Sequence, residues 1–131
     1  MKTNFQFLEA QPTIIEIKFQ NKIIDLHNTC LFEGFTFDIV QESLILHWRY
    51  YHNYKVDDWR NFEMKFSKIS ALNTYTWMTS IPFKQNNVFD EVVIDGNKTT
   101  WVFNGDLKIE IVADEIEMKI TNKNGPIIFD T

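Results

Sequence analysis

The stretch Trp48-Arg49-Tyr50-Tyr51-His52-Asn53-Tyr54-Lys55-Val56-Asp57-Asp58-Trp59-Arg60 brings aromatic rings, guanidinium groups and carboxylates together. Rings stack, arginines donate forked hydrogen bonds and carboxylates accept them, so the chemistry on offer is recognition rather than bond making. Side chains of these types also carry most of the binding energy at protein interfaces. The candidate binding residues are Arg49, Tyr51, His52, Tyr54, Asp58 and Trp59.

Bond-making chemistry has thinner support. The four glycines form neither a G-x-G-x-x-G nor a phosphate-binding loop, and no G-x-S-x-G surrounds Ser43, Ser67, Ser70 or Ser80. The acid pairs Asp57-Asp58 and Asp114-Glu115 fall where turns are expected. His27 and Cys30 have an H-x-x-C spacing, but a structural zinc site takes four N or S ligands and Cys30 is the one cysteine. The expectation is therefore a non-enzyme, with no catalytic residue, no metal and no cofactor.

The elements that position the aromatic segment follow from a period of two in the apolar residues, the mark of strands. Phe35, Phe37 and Ile39 precede a Gln41-Glu42 turn, and a two-residue loop there pairs Ile39 with Leu44, Phe37 with Leu46 and Phe35 with Trp48. Phe62, Met64 and Phe66 supply a third strand after a connection from Tyr51 to Asp58. The buried face is then Phe35, Phe37, Ile39, Leu44, Leu46, Trp48, Tyr50, Phe62, Met64 and Phe66. Arg49, Tyr51 and Trp59 fall on the opposite face, with His52, Tyr54 and Asp58 in the loop at its rim.

Further along, a four-strand meander is expected. Val92 and Ile94 lead into an Asp95-Gly96 turn, and Thr99, Trp101 and Phe103 follow. A three-residue loop, Asn104 to Asp106, pairs Phe103 with Leu107 and Trp101 with Ile109, whereas a two-residue loop would set the rings against Asp106 and Lys108. A turn at Asp114-Glu115 then sets Ile111 against Met118 and Ile109 against Ile120. Tyr75, Trp77, Thr79 and Ile81 suggest one more strand, stopped by Pro82, and Ile15, Ile17 and Phe19 an early one. Phe5 to Ala10 and Asn21 to Cys30 could each hold a short helix. Two apolar faces in one chain bury each other as an antiparallel β-sandwich or a strongly curved, barrel-like sheet, with the sandwich slightly preferred. The fold class is all-β.

A chain of 131 residues with 15% aromatics, twelve of them Phe, suits one domain with a real core. No secretory leader and no apolar run of membrane-spanning length is seen, which points to the cytoplasm. The net charge of −5 divides as −3 over residues 1–47, +3 over 48–84 and −5 over 85–131. The aromatic segment thus sits in the one basic third, suited to an acidic partner surface. A pI near 5.1 argues against nucleic acid.

Leu26-His27-Asn28, Phe35-x-Phe37-x-Ile39, Leu44-x-Leu46-x-Trp48 and Phe62-x-Met64-x-Phe66-Ser67-x-Ile69 together resemble a group of small bacterial β-domains, some of immunity-protein type. The resemblance covers about residues 24 to 70 and implies a domain that binds a toxin. Asn28 stands where such domains more often carry an acid. Three functions are therefore expected in order: a protein-binding domain, a binder of small apolar ligands lined by Phe35, Phe37, Trp101 and Met118, and a carbohydrate-binding face. Another protein is the expected partner, with neither nucleic acid nor membrane.

Overall fold

The computed structural model describes residues 1–10, 13–53, 58–76 and 83–121. Their strands are β1 (Lys2–Thr3), β2 (Gln6–Ala10), β3 (Thr13–Phe19), β4 (Lys22–Asp25), β5 (Cys30–Asp38), β6 (Ser43–Asn53), β7 (Asp58–Tyr75), β8 (Phe89–Asp95), β9 (Lys98–Phe103) and β10 (Leu107–Ile120). One 3-10 turn, Phe83–Gln85, precedes β8. The strands join in a single sheet in the order β2-β3-β8-β9-β10-β7-β6-β5; β4 pairs with β3, and β1 lies parallel to β10 while the other pairs are antiparallel. The two segments expected as short helices are strands and turns instead: Phe7 and Leu8 pair with Ile17 and Glu16, and Ile23 and Ile24 with Lys18 and Ile17.

One sheet rather than two decides between the expected architectures in favour of the strongly curved one. In a flat sheet, β5 and β9 would lie four strand steps apart, roughly 19 Å. Yet the ring of Phe32 on β5 stacks on Phe103 of β9 with centroids 4.2 Å apart. The sheet rolls over on itself, and its concave side is the core. Trp48 stands at the centre, 5.7 Å from Phe62, 5.7 Å from Phe89, 5.9 Å from Phe103 and 6.2 Å from Trp101. Among the described residues no ladder closes the roll at β5, where Phe32 N–H donates to Asn87 O just ahead of β8 at 2.9 Å.

Several registers follow the alternation. Phe103 pairs with Leu107 and Trp101 with Ile109, across the three residues Asn104 to Asp106. Asn104 and Gly105 both take positive φ, 50° and 64°, and Asp106 N–H closes the turn on Phe103 O at 3.0 Å. Trp48, Tyr50, Leu44, Leu46, Phe62, Met64 and Phe66 are all buried, as expected.

Other registers are corrected. The β8–β9 turn is Gly96-Asn97, because Asp95 pairs with Lys98; Gly96 takes the first central position at φ 60°, as a type II′ turn requires. The β5–β6 connection is Ile39 to Glu42, so Phe37 meets Leu44 and Phe35 meets Leu46. A slip of two keeps every side chain on its face, so alternation cannot detect it. A bulge between Phe32 and Gly34 then brings Phe32 opposite Trp48. Phe35, Phe37 and Ile39, expected in the core, are exposed.

The Asp114-Glu115 turn does not form. β10 runs straight through it, pairing with β9 from Leu107 to Val112 and with β7 from Lys108 to Ile120, so Ile111 faces Leu72 and Met118 faces Met64. Apolar positions change phase there, from Ile109, Ile111 and Ala113 to Ile116, Met118 and Ile120. A turn and an irregularity in a continuous ladder both produce such a change, and the second is observed: the register passes from Ala113–Ile69 to Glu115–Ser67 without pairing Asp114 with Lys68, next to a bulge that skips Ser70 of β7. Lys68 takes φ 57° beside it. Tyr75, expected to open a separate strand, ends β7; Trp77, Thr79, Ile81 and Pro82 lie outside the described residues.

The two central tryptophans differ in one bond. Trp101 Nε1 donates to the buried Thr99 Oγ1 at 2.8 Å, whereas the buried Nε1 of Trp48 has no hydrogen-bond partner among the described residues. Trp101→Phe strands a hydroxyl, while Trp48→Phe removes an unsatisfied donor. In urea unfolding, Trp101→Phe should therefore cost about 1–3 kcal/mol more than Trp48→Phe. Equal costs would show that the Thr99 bond adds nothing to stability.

Candidate functional site

The outer face of β5, β6 and β7 carries Arg49, one of the residues singled out by type. Arg49 pairs across the ladder with Leu31 on one side and Asn61 on the other. Its Nε lies 3.8 Å from Glu33 Oε2, both side chains part-exposed, which ties the face to β5. His47, two positions earlier, pairs with Glu63, and its Nε2 shares a 3.1 Å hydrogen bond with Thr36 Oγ1. The register sets Tyr51 opposite Trp59 and Asn53 opposite Asp58. The side chains of Tyr51, His52, Asp58 and Trp59, and all of Tyr54, lie outside the described residues.

Two loop assignments change. β6 continues to Asn53 and β7 begins at Asp58, so His52 and Asp58 stand on strands rather than in the connection. His52 falls at the register shift between Tyr51 and Asn53.

Arg60 belongs to the other face. It is buried opposite Tyr50, and Lys22 Nζ sits 5.3 Å from the Tyr50 ring centroid. Alternation already carried the signal, because Arg60 shares the phase of Phe62, Met64 and Phe66.

His27 and Cys30 do not converge as ligands. Asp25 Oδ1 accepts the backbone N–H groups of His27 and Asn28 at 3.0 and 2.8 Å, its Oδ2 accepts Asn28 Nδ2, and its carbonyl accepts Thr29 N–H. His27 Nδ1 bonds to Phe89 O, pinning the β4–β5 turn to β8. The Leu-His-Asn motif is thus a turn built on Asp25, an acid whose short side chain reaches its own following backbone. Cys30 is a buried thiol beside the Thr29 hydroxyl.

On the outer side of β7, β9 and β10, Tyr75 OH donates to Glu110 Oε1 at 2.9 Å and Lys98 Nζ lies 3.4 Å from Glu110 Oε2. The Tyr75 hydroxyl, with Lys98 adding to it, holds the Glu110 carboxyl below its ordinary range; the same bond pushes the Tyr75 phenol up. Ion pairs this exposed stabilise little, so the cluster is a cross-strand tie on a wet face.

The feature that type-based reading missed is apolar. Phe35 and Phe37 occupy the same face as the fully buried Leu46 and Leu44, yet are 39% and 43% exposed. Ile39 and Val40 at the hairpin tip are 78% and 92% exposed. β5 ends the sheet, so no further strand among the described residues covers them. Edge position is a property of topology, which alternation cannot supply. What the sequence did contain is a run from residue 30 to 42 with three acids, Glu33, Asp38 and Glu42, and no base.

No protein-family model, curated protein or solved structure matches the chain.

Proposed function

We propose that this chain is a non-catalytic interaction domain whose partner is another protein, engaged through the edge and tip of the β5–β6 hairpin. The observation that carries the reading is a contrast in exposure. Trp48, Phe62, Phe103 and Trp101 are sealed in ring-to-ring contact, while Phe35, Phe37, Ile39 and Val40 of the same chain meet solvent together. Contiguous apolar surface of this kind on a soluble protein marks an interaction site more often than chance exposure does. The resemblance of residues 24 to 70 to small bacterial β-domains, some of immunity-protein type, agrees, since an immunity protein acts by binding a protein.

The small-ligand reading loses its pocket. Trp101 and Met118 are buried in the packed interior and Phe35 and Phe37 stand at the open edge, so the four residues do not line one cavity. The carbohydrate reading rests on Tyr51, Tyr54 and Trp59, whose side chains lie outside the described residues.

A photo-crosslinking amino acid placed at Val40, with Ile23 on β4 as an exposed apolar control, tests the proposal in the cells that make the protein. A discrete protein adduct should form from position 40 and not from 23. No adduct at 40, or the same adducts from both sites, would overturn it.

A further inference from the structure

We infer that β5 is a docking edge for an extended segment of a partner protein in which apolar and basic residues alternate. This rests on the interaction-domain reading and adds the chemistry of the partner. β5 forms a ladder with β6 alone among the described residues. Among the described residues, its other side takes one backbone bond, from Phe32 N–H to Asn87 O, leaving Gly34 to Asp38 with none. In a strand, every second residue turns its N–H and C=O away from the paired neighbour, so this stretch offers a row of open donors and acceptors. Protein edges are often blunted by lysine, proline or a bulge; nine-residue β5 contains neither lysine nor proline, and its bulge lies between Phe32 and Gly34, ahead of the open stretch.

The two faces of the edge differ. Phe35 and Phe37 share the face of Leu46 and Leu44, whereas Thr36 and Asp38 share that of Ile45 and Ser43. An added strand would therefore set alternate residues over an apolar floor and the residues between beside a hydroxyl and a carboxylate. Glu42 adds a second acid at the tip, and Glu33 a third at the base, where Arg49 partly offsets it. A cleft of about 490 Å3 opens beside Phe37, Asp38 and Ile39, and Lys65 forms its far wall. The acidic bias thus belongs to the edge itself.

Charge decides the occupant. A second copy paired edge to edge would bring Asp38 and Glu42 of each copy together, with Glu33 partly offset by Arg49 and no base on either β5 strand, and like charges across a ladder destabilise it. A strand with lysine or arginine at the alternate positions removes that repulsion and gains from it.

The test uses the full-length isotope-labelled chain and two synthetic heptapeptides, one alternating lysine and valine, the other glutamate and valine. Amide shifts confined to β5 and the facing part of β6, with about tenfold slower hydrogen exchange at Gly34 to Asp38, are expected with the lysine peptide only. Val40→Lys, at a site too exposed to threaten folding, should weaken the response, and Phe37→Lys should abolish it. An unperturbed β5, an equal response to both peptides, or a peptide-free dimer with the same amides protected would each overturn the inference. A crosslink at Val40 with an unresponsive β5 would leave the interaction domain standing and remove strand addition; loss of both would remove both.

Discussion

Trp48→Ala should lower the free energy of unfolding by about 3–5 kcal/mol, read as a shift of the urea midpoint. The expectation follows from where the ring sits. Trp48 is fully buried on β6 and lies within 6 Å of Phe32 on β5, Phe62 on β7, and Phe89 and Phe103 on β8 and β9. It is the wedge between the β5–β6–β7 side of the rolled sheet and strands β8 and β9. Removing it opens a cavity bounded by rigid rings on several strands, which cannot all close inward without breaking ladder registers, so little of the cost is recovered by collapse. Against a total stability of order 5–15 kcal/mol for a domain, such a loss is a large fraction. The lost indole donor has no partner to strand, so the cost is a packing cost. A loss under about 1 kcal/mol would mean that the halves of the sheet are held by something other than this aromatic stack.

The same ring shows how far the sequence could be read. Alternation placed Trp48 and Tyr50 inward because side-chain direction in a strand is local, and it paired Trp101 with Ile109 because a short turn leaves few registers to choose from. It failed where the deciding fact was not local. The phase change after Ala113 is compatible with a turn or with a ladder irregularity, and only the partner strand, β7, distinguishes them. Phe35 and Phe37 carry the same pattern as the buried Leu44 and Leu46; their exposure comes from β5 being last in the sheet. The candidate site divides along that line. Arg49 was legible as an outward residue and its Glu33 partner was not, because Glu33 reaches it through a bulge that alternation does not foresee. The apolar edge was hidden for the opposite reason: aromatic residues in period two read as core wherever the topology is unknown.

The Leu26-His27-Asn28 run adds a related lesson. Its residue types suggested a ligand or a family mark, yet its hydrogen bonds are those of a turn, with Asp25 as the acceptor and His27 reaching across to β8. The turn delivers the chain from β4 into β5 with Cys30 entering the core next to Phe32 on the same buried face. Hence a motif that looks chemical is better understood as what aims the docking edge.

That delivery makes Cys30 a probe of the edge. Burial pushes its thiol from an ordinary 9.0 up to about 12, the Asp25 charge adds to the rise, and the Thr29 hydroxyl works against it. The thiolate is the reactive form, so at pH 8 the folded chain should carry roughly a thousandfold less of it than an unfolded one. Alkylation by iodoacetamide should slow by at least that factor in native buffer and recover fully in urea. The linkage has a definite sign: the unfolded thiol ionises above 9 while the folded one stays protonated, so this contribution to stability is complete below pH 9 and is lost as pH rises toward 12. Cys30 pairs with Tyr50 in the β5–β6 ladder, so exchange-limited labelling reports how often the edge strand itself opens. Labelling at the unfolded rate in native buffer would show that β5 is detached in solution, and with it the docking edge; labelling that slows further when the lysine peptide is bound would show the added strand holding β5 in place.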